Sequence, residues 1–204
     1  MKQTLIIFTK NAVYGKVKTR LAATVGNDKA LYIYQQLLHY TAAITDEIPV
    51  EKIVFYSTGL EDKDAFKNDV YKKQVQEGND LGERMHHAIE YAFNQGSSEV
   101  IIIGSDCLYI TAEGIINAFD RLQNNAVVIG PATDGGYYLL GMKQLHSRLF
   151  EQINWSTNQV LSKTIAICQA NNLSFYLLPE LSDIDTEEDL KRHESFYQQF
   201  SKTS

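Results

Sequence analysis

Cysteine, proline and long apolar runs are scarce in this sequence of 204 residues. The two cysteines, Cys107 and Cys168, are too few and too far apart for a disulfide framework or a zinc site, so we expect reduced, structural thiols. Three prolines and 12 glycines exclude a collagen-like or low-complexity chain. No apolar run approaches the roughly 20 residues of a membrane span, and the first apolar stretch is too short for a signal peptide. The expected location is the cytoplasm.

Acidic residues are missing from the first 27 positions, although the whole chain is acidic. It has 19 Lys and Arg against 25 Asp and Glu, a formal net charge of -6. The basic residues of this first segment are Lys2, Lys10, Lys16, Lys18 and Arg20. An acidic chain is poorly suited to gripping the phosphates of a long nucleic acid, so we expect no nucleic-acid partner. The basic segment suits one small anion instead.

Short apolar runs alternate with amphipathic segments along the whole chain. The runs are rich in β-branched residues, which favours strands at 5–8, 53–57, around 75, 100–103, 126–129, 137–140 and 175–178. Apolar residues at helical spacing favour helices at 28–45, 81–93, 111–122, 157–170 and 186–200. The repeated strand–helix order predicts one α/β domain over residues 1–204, with a doubly wound sheet of parallel strands. Such sheets bind ligands in the loops that follow the strands.

The loop after the first predicted strand is the most basic of these. Between positions 9 and 20 it carries Lys10, Lys16, Lys18 and Arg20, with Gly15 among them and no acid. Ammonium and guanidinium groups make strong charge-assisted bonds to phosphate oxygens, and a strand-to-helix loop adds backbone N–H donors. The loop has neither the Walker pattern nor the dinucleotide-binding glycine pattern. It is either a phosphate-binding loop or a solvated basic loop.

Two acidic residues at predicted loop positions are candidate metal ligands. Asp106 directly follows a buried strand, where one carboxylate can hold Mg or Mn while phosphate oxygens complete the shell. Its other possible role is to cap the next helix, for which Thr111 is better placed. Asp185 precedes the last predicted helix and either caps it or approaches the same ion. Asp183, two residues earlier, is a weaker candidate ligand than Asp185.

Two glycine-containing loops allow both a structural and a functional interpretation. Asp134 with Gly135 and Gly136 is typical of an ordinary hairpin turn. Paired glycines also let a ligand approach the backbone, and Asp134 then binds an acceptor or serves as base. In the loop before residues 81–93, Asp80 either caps the helix or contacts a ligand, and Arg84 is able to point toward an anion.

Six motifs in order carry a resemblance that covers residues 4–190. They are Lys18-Thr19-Arg20-Leu21, Asp80-Leu81-Gly82-Glu83-Arg84-Met85, Ile103-Gly104-Ser105-Asp106-Cys107, Asp134-Gly135-Gly136-Tyr137-Tyr138, Trp155-Ser156-Thr157 and Asp183-Ile184-Asp185-Thr186. Together they resemble the radical-SAM/selenodomain-associated transferases, a bacterial glycosyltransferase-A-like family related to the phospholactate guanylyltransferases. The chain departs from this family at Asn11 and Leu108, where proline is usual.

The resemblance implies the nucleotide-diphospho-sugar transferase fold, a three-layer α/β/α sandwich with a mixed, mostly parallel sheet. It also implies a divalent cation, Mg or Mn, with Asp106 at the position of the metal aspartate. The Lys18 and Arg20 loop resembles a nucleotide phosphate loop. We group Gly15, Asp80 and Arg84 with the nucleotide site, and Trp155 with the acceptor side.

The leading hypothesis is a metal-dependent glycosyltransferase that moves a sugar from a nucleotide-sugar donor to a small-molecule acceptor. Lys10, Lys18 and Arg20 would neutralise the donor phosphates, and Asp134 would position or deprotonate the acceptor. One alternative is a nucleotidyltransferase that joins an NTP to a phosphorylated small molecule and releases pyrophosphate, with Lys18 stabilising the transition state. A second alternative is a non-catalytic nucleotide-binding protein. The base, the sugar, the acceptor and the oligomeric state stay open.

Overall fold

The computed structural model describes residues 2–193, which build one seven-stranded sheet. Its strands are β1 (Gln3–Thr9), β2 (Glu51–Tyr56), β3 (Lys72–Val75), β4 (Glu99–Gly104), β5 (Val127–Pro131), β6 (Tyr137–Met142) and β7 (Phe175–Leu177). Their order across the sheet is β3-β2-β1-β4-β6-β5-β7. Each of the seven predicted strands is present at its expected place.

The sheet is mixed and mostly parallel, as the family resemblance implies. Strands β1, β2, β3 and β4 run parallel, and β7 is parallel to β5. Strand β6 is antiparallel to both β4 and β5, so the expectation of parallel strands throughout is wrong for this strand. Only five residues separate β5 from β6. That connection is too short for the crossover that parallel neighbours need.

Helices cover both faces of the sheet. They are α1 (Thr19–Val25), α2 (Asn27–Asp46), α3 (Leu81–Asn94), α4 (Ala112–Leu122), α5 (Val160–Ala170) and α6 (Glu187–Arg192), with a short 3-10 helix at Ser147–Phe150. Because successive strand residues point to opposite faces, Leu5 and Ile7 join a core with α2 and α4, whereas Ile6 joins a second core with α3 and α5. The architecture is therefore the expected three-layer α/β/α sandwich.

The helix boundaries differ from the predicted ones in three places. Helix α1 is not predicted at all, since seven residues are too few to show a clear helical period. Helix α5 begins at Val160 rather than 157, because the preceding residues form a turn against the β5–β6 hairpin. Helix α6 ends at Arg192, and most of the rest of the predicted 186–200 helix lies outside the described residues.

Both cysteines are free and buried, as expected. Burial raises the pKa of Cys107 to about 12 and that of Cys168 to about 11, so both thiols stay protonated and unreactive near neutral pH. Within residues 2–193, no helix combines the length and the apolar character needed to cross a membrane.

Candidate functional site

A cavity of about 310 Å³ opens at the carboxyl ends of β1 and β4. The four basic residues of the first loop, Lys10, Lys16, Lys18 and Arg20, all line it. So do Asp106 after β4 and Asp185 before α6. The sheet topology thus brings the predicted phosphate loop and the predicted metal carboxylates into one cavity.

The Lys18 ammonium stands between the two carboxylates of this cavity. Its Nζ donates to Asp106 Oδ2 at 3.0 Å and to Asp185 Oδ1 at 3.0 Å. The Lys18 side chain is only 4% exposed, whereas those of Asp106 and Asp185 are 40% and 47% exposed. Burial lowers the pKa of Lys18, but the two carboxylates outweigh it and hold that pKa above its usual range. Lys18 is therefore a permanent cation.

The backbone of the first loop fixes the direction of Lys18. This residue has φ 45° and ψ 46°, the left-handed region, and it directly precedes α1. Its carbonyl accepts the first bond of that helix from Ala22 N at 2.8 Å. A non-glycine residue pays roughly 1–2 kcal/mol for this conformation. Gly15 also has a positive φ of 71°, but it does not line the cavity and contributes the turn of the loop.

A buried tyrosine of α2 holds the start of the same loop. The Tyr34 hydroxyl accepts a bond from Lys10 N at 2.9 Å and lies 3.0 Å from both Lys10 O and Thr9 Oγ1. Ser105, next to Asp106, donates to Thr9 Oγ1 at 3.1 Å. Burial raises the pKa of Tyr34, which keeps its hydroxyl protonated. This network ties the ends of β1 and β4 together beneath the cavity, and neither Tyr34 nor Thr9 was a predicted site residue.

Asp183 belongs to the acidic side of the site, although the sequence ranked it below Asp185. Ile184 between them is fully buried, and its N–H donates to Asp106 O at 3.3 Å, which holds both flanking carboxylates at this edge. Burial raises the pKa of Asp183 to about 7, and nearby Asp106 and Asp134 add to the effect. The signal in the sequence was the Asp-Ile-Asp pattern, in which alternate residues share a side.

The residues present fit a divalent cation only together with a phosphate ligand. In the part of the chain that the structure describes, no three His, Cys, Asp or Glu side chains are grouped as a metal site. Asp106 and Asp185 supply two carboxylates beside a cationic cavity. Mg²⁺ is commonly held by one or two carboxylates while substrate phosphates and water complete its shell. The donor set suits Mg or Mn on that pattern.

The Asp134 loop is a hairpin turn. Asp134 Oδ1 accepts from Gly136 N at 2.8 Å, and Ala132 pairs with Gly136 across the turn. Gly135 has φ 87°, and a Cβ there would lie 2.3 Å from Asn158 O. The close approach that this glycine permits is to the protein's own backbone. Asp134 itself is exposed, does not line the cavity, and lies within electrostatic range of Asp183.

Three further candidates make structural contacts outside the cavity lining. Asp80 caps α3, with its Oδ1 accepting from Glu83 N at 2.9 Å. Arg84 Nε donates to Gly78 O at 3.0 Å, which fixes the loop before α3. Trp155 packs so closely on Gly82 that a Cβ there would lie 2.2 Å from its Nε1. From this loop and helix, Gln76 and Leu81 line the cavity.

Solved structures from several bacteria share this fold over nearly the whole chain, and three of them are compared with it. A Desulfovibrio desulfuricans G20 protein with the provisional designation nucleotide-diphospho-sugar transferase is 28% identical, with a TM-score of 0.86, over 98% of this chain and 99% of its own. The 4-diphosphocytidyl-2C-methyl-D-erythritol synthase of Anaerococcus prevotii DSM 20548 is 12% identical, with a TM-score of 0.63, over 97% and 96%. Rv0371c of Mycobacterium tuberculosis H37Rv, in complex with manganese, is 10% identical, with a TM-score of 0.58, over 94% and 97%.

Among curated proteins, none matches the chain significantly. The model of one protein family matches residues 40–157, a span that includes Asp106 and Asp134. That family is described as an uncharacterized protein conserved in bacteria. Because the match covers more than half of the chain, the protein belongs to this family, DUF2064.

Proposed function

We propose that this protein is a metal-dependent transferase that uses a nucleotide-activated donor, and that it transfers a sugar. The observation that carries the proposal is the cavity in which four loop cations face Asp106 and Asp185. It offers positive charge for a diphosphate and carboxylates for a divalent cation in one place. One of these structural relatives is named a transferase and another a synthase, which agrees with an enzyme.

The first loop binds the donor phosphates in this proposal. Lys10 and Arg20 reach the cavity from either side of Lys18. Asp106 and Asp185 would hold Mg or Mn, which when bound would neutralise the charge that builds on the leaving nucleotide. Tyr34 keeps the loop start in place by holding both backbone polar groups of Lys10. Asp134, an exposed residue of the β5–β6 hairpin, would orient or deprotonate the acceptor.

The charge of the acceptor side favours sugar transfer to an uncharged hydroxyl. Four segments meet on this side: 105–111, 130–137, 154–159 and 179–186. They are joined by the hydrogen bond from Ile184 N to Asp106 O, the Ala132–Leu181 bridge and the close approach of Gly135 to Asn158. They contain acids and no Lys, Arg or His. The carboxylates of these segments that do not bind the metal would repel a phosphorylated acceptor. A neutral hydroxyl meets none.

Nucleotidyl transfer is the second candidate, favoured by the fold shared with a diphosphocytidyl synthase. Within the resemblance to the radical-SAM/selenodomain-associated transferases, the relation to phospholactate guanylyltransferases favours this candidate, whereas the glycosyltransferase-A-like character favours sugar transfer. In this reaction an acceptor phosphate attacks the α-phosphorus of an NTP and pyrophosphate leaves. The cations of the first loop would serve this chemistry as well as they serve a nucleotide sugar.

The products of turnover distinguish the two reactions. The protein is incubated with Mg²⁺ or Mn²⁺ and either nucleotide sugars or NTPs, each with a panel of hydroxylated and phosphorylated small molecules. The proposal expects release of nucleoside diphosphate from a nucleotide sugar, lost in Asp106→Asn and kept in Asp120→Asn. Asp120 is an exposed residue of α4 and serves as the matched control. Release of pyrophosphate from an NTP in the presence of a phosphorylated acceptor would contradict sugar transfer and support nucleotidyl transfer.

A further inference from the structure

We propose that Lys18 makes this site select a nucleotide that already carries its divalent cation over the free metal ion. This inference rests on the proposed function and adds the form in which the donor is recognised. In the structure, the Lys18 ammonium is the counter-ion of the very carboxylates that would hold the metal. Metal and ammonium therefore compete for one position.

The geometry makes the two cations mutually exclusive at one oxygen of each carboxylate. Lys18 Nζ contacts one oxygen of Asp106 and one of Asp185, each at 3.0 Å, so it stands between them. An Mg²⁺ ion needs its oxygen ligands at roughly 2.0–2.1 Å and in a near-octahedral arrangement. An ion shared by these two oxygens would occupy the volume of the ammonium. Lys18 has to leave before these two oxygens, Asp106 Oδ2 and Asp185 Oδ1, can bind one ion.

The surroundings make that displacement unfavourable for metal alone. Lys18 is permanently charged, its side chain is 4% exposed, and the other charges of its own loop are Lys10, Lys16 and Arg20. An ammonium pushed from the carboxylates would move toward these like charges. Among the cations of this loop, Arg20 adds a second contact to the acids: it lies 3.9 Å from Asp185 and is largely exposed.

Nucleotide phosphates reverse this balance. They bring negative charge into the cationic half of the cavity, where the displaced ammonium gains charge-assisted bonds in exchange for those it gives up. The metal brought by the same phosphates takes over the carboxylates. Because the left-handed backbone fixes the Cα of Lys18, the exchange is a swing of its long side chain between neighbouring positions. Metal and nucleotide are thus expected to bind with positive coupling.

Calorimetric titration of Mn²⁺ alone into nucleotide-free protein tests the inference. Lys18→Met should bind Mn²⁺ at least tenfold more tightly than the wild type, because the competing ammonium is gone. Lys16 belongs to the same loop and lines the same cavity, but its ammonium is not the one bonded to Asp106 and Asp185. Lys16→Met removes an equal charge and should change the Mn²⁺ affinity less than threefold. Lys18→Gly suits the left-handed backbone and is the second variant in case methionine disturbs folding. It should show the same gain in Mn²⁺ affinity.

Equal or weaker Mn²⁺ binding by both folded Lys18 variants would overturn the inference, as would an equal gain in Lys16→Met. A parallel titration with ADP, CDP, GDP and UDP separates this failure from that of the proposed function. If the wild type binds one of these nucleotides with Mn²⁺, the nucleotide and metal site on which the proposed function rests stands whatever Lys18 does. If no diphosphate binds with or without Mn²⁺, the proposed function fails as well.

Discussion

Removing the hydroxyl of Tyr34 should weaken both the fold and the nucleotide site. The side chain is 3% exposed, and its hydroxyl serves Lys10 N, Lys10 O and Thr9 Oγ1 at 2.9–3.0 Å. Tyr34→Phe leaves the Lys10 N–H without its acceptor, whereas Thr9 Oγ1 keeps its bond from Ser105. An unsatisfied group of this kind costs roughly 1–3 kcal/mol. We expect a loss of about 2 kcal/mol in the free energy of unfolding, measured in urea, or roughly 4–8 °C in Tm.

Tyr40→Phe is the matched control, since Tyr40 lies on the same helix and makes one hydrogen bond, to Ile110 O at 2.8 Å. Its loss should be about 1 kcal/mol. Only Tyr34→Phe should also weaken nucleotide binding, by several-fold, because it frees the backbone of Lys10 at the cavity wall. Equal destabilisation by the two variants, with nucleotide affinity unchanged in both, would refute the role given to Tyr34.

Two further predictions concern the hairpin and the acidic side of the site. Gly135→Ala should lower the free energy of unfolding in urea by at least about 2 kcal/mol, because φ is positive there and the added Cβ would lie 2.3 Å from Asn158 O. Gly15→Ala, with positive φ but open space, should cost only about 1 kcal/mol; equal losses would contradict the contact. The folded pKa of Asp183 is raised to about 7, so its charge costs stability that grows as pH rises from the ordinary 3.8. Asp183→Asn should therefore raise the Tm of metal-free protein more at pH 8 than at pH 5, and an equal gain at both would refute this.

Local sequence patterns were sufficient for the strands and for most helices. Thr111 and the apolar spacing after it, for example, mark the start of α4, where the Thr111 hydroxyl accepts from Gly114 N at 3.0 Å. The direction of β6 follows from the shortness of its turn to β5, and the hairpin interpretation of Asp134, Gly135 and Gly136 already indicated it. The turn before α5 depends on Gly135 meeting Asn158, a contact between separate segments that no local pattern contains.

The charged residues that line the cavity were predictable, but their pairing was not. Basic residues at one strand end and acids at two others indicate a shared cavity through the topology of parallel sheets. That Lys18 bonds Asp106 and Asp185, 88 and 167 residues away, depends on the left-handed turn before α1. Tyr34 escaped notice because a tyrosine on an apolar helix face is indistinguishable from an ordinary core residue in one sequence.

Metal-dependent nucleotide binding is the most direct test of the central claim, that the first-loop cations and Asp106 form one site for a nucleotide and a divalent cation. The dissociation constants of ADP, CDP, GDP and UDP are measured calorimetrically with Mn²⁺ and with EDTA. The wild type should bind one of them at least tenfold more tightly with Mn²⁺, and Asp106→Asn should lose that gain while Asp120→Asn keeps it. Equal affinity with Mn²⁺ and EDTA, or an undiminished gain in Asp106→Asn, would contradict the account.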